Sequence, residues 1–221
     1  MIETPSPNHN ARPDGQPVDM LVVHYTGMES CAAALARLCD PAAEVSAHYL
    51  IDEDGAVHRM VAEDRRAWHA GVAAWRGETD VNGRSIGVEL VNPGHEFGYR
   101  NFPEAQMAAF RDLAKEILAR HPIPAGNVVG HADVAPARKM DPGELFDWRG
   151  LAADGIGLWP AAPGVTPEES AVPGLLARIG YDTADPAAAL TAFQRHFRPA
   201  AVDGVADAET RAQLAAVAAL A

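Results

Sequence analysis

The chain has 221 residues, 48% of them hydrophobic, and a formal net charge of −12. That apolar content excludes a disordered chain and supports a core for one medium domain and a small one. The acidic balance excludes nonspecific nucleic-acid binding, which needs a basic face, and no apolar run is long enough to span a membrane.

The N-terminal "MIETPSPNHN" has neither the basic nor the apolar segment of a signal peptide, so a cytoplasmic location is expected. His9 falls in this polar arm. "DMLVVH", Asp19–His24, predicts a buried strand ending in a histidine. Ser30–Cys39 predicts a short helix with Ser30 as N-cap. Its Cys31 and Cys39 lie in one helix-like run, where a disulfide is geometrically implausible, and are expected to pack as small apolar groups. "SAHYLIDEDGAVHRMV" predicts a hairpin around Asp52–Gly55. "SIGVELV", Ser85–Val91, predicts a strand that Asn92-Pro93-Gly94 ends. "FPEAQMAAFRDLAKEILARH" has the helical period at Met107, Phe110, Leu113, Ala114, Ile117 and Leu118, with Pro103 in the first turn. "NVVG" predicts a short strand running into "GHADVAPARKMDPG", Gly130–Gly143. Pro136 and Pro142 and the lack of apolar periodicity predict that this stretch is a stiff loop.

This alternation predicts an α/β fold with a mixed central β-sheet flanked by helices over residues 1–158. Three Pro and a Gly between Leu158 and Ser170 mark a linker, 159–169. A small, Ala-rich helical domain follows over 170–221.

Most of the nine histidines need no special explanation. His121 sits at a helix end, where a partial positive charge suits the dipole, and His58 alternates along a strand as a surface residue does. His24 and His131 each follow an apolar run and so sit at strand ends, where loops meet. A lone strand-end histidine is more often a satisfied core residue. Asp141, ten residues beyond His131, changes the weighing. Two His and one carboxylate leave one position open on tetrahedral zinc, the pattern of a catalytic metal. Glu89 lies mid-strand on the face of Gly87 and Val91. It is either a solvent-facing residue or the general base for an attacking water. Lys139 is either an ordinary solvated lysine or an ammonium set against an oxyanion. It is one of only two Lys beside sixteen Arg, so a compact amine is wanted there.

As a set, "DMLVVHYTGMES", "SAHYLIDEDGAVHRMVAEDRRAWHAG", "SIGVELVNPG" and "GHADVAPARKMDPG" resemble the signature stretches of the zinc-dependent type 2 N-acetylmuramoyl-L-alanine amidases. The resemblance implies Zn2+ on His24, His131 and Asp141, catalysis by Glu89 with Lys139 on the oxyanion side, and substrate contacts from Trp68, His69 and Asn92. It implies hydrolysis of the amide between N-acetylmuramic acid, or its 1,6-anhydro form, and L-alanine of the stem peptide. The alternatives are a non-catalytic peptidoglycan-recognition protein and a zinc deacetylase of amino sugars. The expected partner is peptidoglycan or a muropeptide, and the expected state is a monomer. The tail, with "LLARIGYD", "ALTAFQRHF" and "VDGVADAETRAQL", resembles a three-helix peptidoglycan-binding module. Asp207 replaces the Gly that usually closes "DGxxG". A wall-binding tail makes the cell envelope the alternative location, and such a unit either binds glycan or braces the catalytic domain.

Overall fold

The computed structural model describes residues 1–221. Eight strands form: β1 (Ile2–Glu3), β2 (His9–Ala11), β3 (Met20–Tyr25), β4 (Tyr49–Ile51), β5 (Val57–Arg59), β6 (Arg65–Ala67), β7 (Ser85–Leu90) and β8 (Val128–Gly130). Nine helices join them: α1 (Cys31–Leu38), α2 (Val81–Arg84), α3 (Gly94–Phe97), α4 (Glu104–Arg120), α5 (His131–Val134), α6 (Trp148–Ala153), α7 (Val172–Ile179), α8 (Pro186–Phe197) and α9 (Ala208–Leu220). None is long and apolar enough to cross a membrane.

Alternation along β3 sets the layers. Leu21 and Val23 point to one face of the sheet, where they pack with Phe110, Leu113 and Ile117 of α4 and with Trp148. Met20 and Val22 point to the other face and join the cluster that also holds side chains of α5, α7, α8 and α9. His24 continues this second face beyond the helices' cover. The six-stranded sheet runs β1-β5-β4-β7-β3-β8. β4, β7, β3 and β8 are parallel, and β5 is antiparallel to β4, so the sheet is mixed as expected.

Local chemistry places the ends of several elements. Ser30 caps α1 by accepting the Ala33 N–H at 3.2 Å. Pro103 stands just before the first turn of α4, at its N-cap, rather than inside it. Asp207 caps α9 by accepting the Thr210 N–H at 2.8 Å, so the departure from glycine supplies a helix start. His121 at the end of α4 is held less by the helix dipole than by Glu63, 2.7 Å from its Nε2. Cys31 and Cys39 are unpaired.

Three expectations change. The N-terminal arm is built into the fold, with β1 parallel to β5 and β2 antiparallel to β6. Strands of two and three residues are too short to leave a periodic signal. The stretch after β8 is not loop throughout: one helical turn, α5, forms before Pro136, and Ala132, Val134 and Ala135 are buried. Each packs into the cluster that also holds Leu176, Phe193 and Val217, which lie in the last third of the chain and so cast no local pattern here. Finally, residues 159–169 do not hang free. Trp159 packs on Phe197, and the Gly164 N–H donates to Ala212 O at 3.0 Å. The C-terminal helices and the sheet share one core, in which full burial of a side chain such as Leu176 or Phe193 stabilises by ~1.5–3 kcal/mol.

Candidate active site

His24 is the penultimate residue of β3, Glu89 lies on neighbouring β7 in direct register with it, and His131 opens α5 just past β8. All three therefore stand at the C-terminal ends of parallel strands, where loops diverge and leave a crevice. Asp141 arrives from the far end of the loop. The Ala132 N–H donates to Asp141 O at 2.8 Å, and Gly130 lets the chain close, since a Cβ there would meet Pro142 Cδ at 2.6 Å.

The donor atoms converge. His24 Nδ1 lies 3.0 Å from His131 Nδ1 and 3.1 Å from Asp141 Oδ2, and His131 Nδ1 lies 3.0 Å from the same oxygen. All three residues are buried. The partners of the outer ring nitrogens fix which atoms carry protons. His131 Nε2 faces Ala70 O at 3.0 Å; a carbonyl only accepts, so Nε2 donates, and in the neutral imidazole Nδ1 then presents a lone pair. The same logic runs through four groups for His24. Ser85 Oγ donates to Val81 O at 2.6 Å, so it accepts from His69 Nε2 at 3.0 Å. His69 Nδ1 is then an acceptor, and His24 Nε2 donates to it at 3.0 Å. His24 Nδ1 is left with a lone pair. Burial, and then His131, push His24 down to about 4, which keeps it neutral near pH 7.

With both rings neutral, two imidazole lone pairs and a carboxylate oxygen meet at about 3 Å. Three acceptors in that arrangement repel unless a cation lies between them. Ligand atoms at zinc's 2.0–2.1 Å tetrahedral distances are themselves about 3.3 Å apart, so the triangle fits a metal of that size. The chemistry of the donor set and its fixed tautomers both suit zinc.

The triangle opens into a cavity of about 340 Å³ whose walls include Glu89, Lys139, Trp68 and Arg37. Glu89 Oε2 is buried with no hydrogen-bond partner. Burial, and then Asp141, raise the Glu89 carboxyl well above its usual value, while Lys139 opposes the rise. Trp68 holds its ring edge by donating from Nε1 to Asn10 Oδ1 at 2.7 Å. His69 borders the cavity, yet both its ring nitrogens are engaged, by His24 and Ser85. Its position orients a neighbour and leaves no polar atom for a substrate. Its ring covers Gly87, where a Cβ would lie 2.4 Å from Cγ.

Asn92 is not brought to the cavity. It is fully buried, its amide donating to Arg100 O at 2.8 Å and its Oδ1 accepting the Gly94 N–H at 3.0 Å. Its work is to shape the turn after β7, a use of Asn as common in turns as binding. Arg37 and Ser85 were not singled out by the sequence. Arg37 is one charge among many on a helix surface, and Ser85 opens a strand as any small residue can; only the assembled fold brings them to the site.

Fold and site together define an amidase. Residues 14–144 match the N-acetylmuramoyl-L-alanine amidase family, and the chain belongs to that family. It is 42% identical to the N-acetylmuramoyl-L-alanine amidase AmiD of Escherichia coli over 88% of this chain and 80% of that protein. It is 36% identical to the 1,6-anhydro-N-acetylmuramyl-L-alanine amidase AmpD of Citrobacter freundii over 65% of this chain and 84% of that one. The solved complex of E. coli AmiD with anhydro-N-acetylmuramic acid-L-Ala-D-γ-Glu-L-Lys matches with a TM-score of 0.83 and 39% identity, covering 94% of this chain and 91% of that one. AmpDh3 of Pseudomonas aeruginosa in complex with anhydromuramic pentapeptide also matches at 0.83, with 36% identity over 92% of each chain.

Proposed function

We propose that this amidase hydrolyses the bond between N-acetylmuramic acid, in its 1,6-anhydro form among others, and L-alanine with zinc held by His24, His131 and Asp141. The observation that carries this reading is the meeting of two imidazole nitrogens and a carboxylate oxygen, all buried, beside a partnerless carboxylate in one cavity. Zinc bound there supplies Lewis acidity to the scissile carbonyl and lowers the pKa of a water toward about 7.

The chain's own groups do the rest. Glu89 accepts the proton of the attacking water, its carboxylate facing the cavity with no hydrogen-bond partner on Oε2. It then returns that proton to the leaving amine of L-alanine. Lys139, in the cavity wall, sets its ammonium against the oxyanion that develops on the carbonyl. Trp68 offers a fixed apolar wall, and Arg37 a cation for the acidic stem peptide. Residues 1–158 make the catalytic part, and 159–169 connect it to the peptidoglycan-binding-like helices of 170–221.

Incubating the protein with soluble anhydro-muropeptide and with whole sacculi, with and without a chelator, tests the reading by mass spectrometry of products. Chelator-sensitive release of intact stem peptide is expected. Release that survives full metal removal would defeat the zinc assignment. A preference for the soluble substrate fits cytoplasmic recycling, and a preference for sacculi fits wall turnover in the envelope.

A further inference from the structure

Asp133 is buried and lies two residues past His131, in the single turn of α5. Its Oδ2 accepts the Gly130 N–H at 2.7 Å, closing the turn on itself. The other two partners come from the far end of the chain. Tyr181 donates its hydroxyl to Oδ1 at 2.7 Å, and His196 Nδ1 lies 2.7 Å from Oδ2. Both are themselves wedged: Tyr181 stands edge-on to Trp75, and His196 stacks on Trp148 at 4.0 Å.

One helical turn has almost no stability of its own, because nucleation fixes several residues for one hydrogen bond. The α5 turn nonetheless has to hold His131 Nδ1 within about 0.5 Å of a productive position if it is to ligate a metal. Within the 130–143 stretch the turn is tied by the Ala132 N–H to Asp141 O and the Gly130 N–H to Asp133 Oδ2. Further support comes from outside: Ala70 O on the ring, and Tyr181 with His196 on Asp133.

We propose that the C-terminal helices serve the metal site as a clamp, with Tyr181 and His196 acting through Asp133 as positioning residues for His131. This rests on reading His24, His131 and Asp141 as metal ligands. The last fifty residues are then part of the catalytic scaffold, whatever glycan their outer faces meet.

The test uses the full-length chain. Tyr181→Phe deletes one hydroxyl, and Leu190→Ala is the control, since Leu190 lies in the same shared core but has no side-chain group that hydrogen-bonds Asp133. Zinc affinity is measured by competition with a chromophoric chelator. Tyr181→Phe is expected to bind about 10- to 100-fold more weakly, as loss of an outer partner does. Leu190→Ala is expected to melt earlier and keep its affinity. Wild-type affinity in Tyr181→Phe overturns the clamp, as does an equal loss in both variants. Hydrogen exchange of residues 128–141 in metal-free protein separates the two readings. Faster exchange there in Tyr181→Phe than in Leu190→Ala supports the clamp even if the wild type binds no zinc, which would sink the metal reading alone. Equal exchange in the two variants overturns the clamp.

Discussion

His24 and Glu89 are direct partners across the parallel β3–β7 ladder. One register therefore places both the proposed metal ligand and the proposed base, on the same face and at the same height. A slip of one residue would turn Glu89 to the α4 side, because strand side chains alternate with period two.

Glu89→Gln keeps the shape of the side chain and removes its basicity. It is expected to lower kcat by about 10²- to 10⁴-fold with stoichiometric zinc retained. Metal analysis beside steady-state kinetics checks this. A variant with near wild-type turnover would remove Glu89 from the mechanism.

Asp141→Ala takes away one corner of the triangle and leaves two imidazoles. Zinc affinity is expected to fall by more than about 100-fold, beyond what loss of an outer partner causes. Activity should fall in parallel and return in part at high zinc concentration. Full occupancy of the variant after dialysis would refute the ligand set.

Ser85→Ala tests the proton relay. Without the hydroxyl, His69 no longer has a fixed donor side, and His24 can turn its proton toward the metal. Zinc is expected to bind about 10-fold more weakly. Unchanged affinity would show that His24 keeps its tautomer by other means.

Glu63 carries a pH dependence far from the site. Burial would raise its carboxyl, but hydrogen bonds from Arg120, Tyr49 and His121 prevail and bring it down to about 2. A carboxylate with a lowered folded pKa adds stability above its unfolded value, near 4.5, and loses it as pH falls toward 2. Glu63→Gln should therefore destabilise by about 1–2 kcal/mol at pH 7, a figure reduced for the group's partial contact with water. In urea titrations the gap between variant and wild type should close between pH 4.5 and 2. A gap that is constant with pH would mean that packing, not charge, is what the substitution removes.

Much of the site was legible because its residues sit where periodicity breaks. His24 and His131 end apolar runs, and Glu89 interrupts one, so each stood out against its own neighbours. The sheet was legible for the same reason, since β3, β4, β7 and α4 each carry a full period of apolar side chains. What was not legible depends on distant partners. Ala132, Val134 and Ala135 read as loop because their cover comes from helices more than thirty residues later. Asn92 read as a binding residue because an amide's partners are invisible until the turn around it is built. His69 stood in the right stretch, but its task toward His24 depends on a serine on another strand.

The covering of Gly87 by the His69 ring has a consequence for how variation at this site would be surveyed. Adding one methyl group there removes no charge, no hydrogen-bonding atom and no ligand, and replaces glycine in a strand with a residue of ordinary backbone preference. Yet that methyl would occupy the space of the imidazole that sets the proton on His24. A screen restricted to polar positions would pass over Gly87, and among its possible replacements even alanine, the smallest, should silence the enzyme while leaving every catalytic side chain in the sequence untouched.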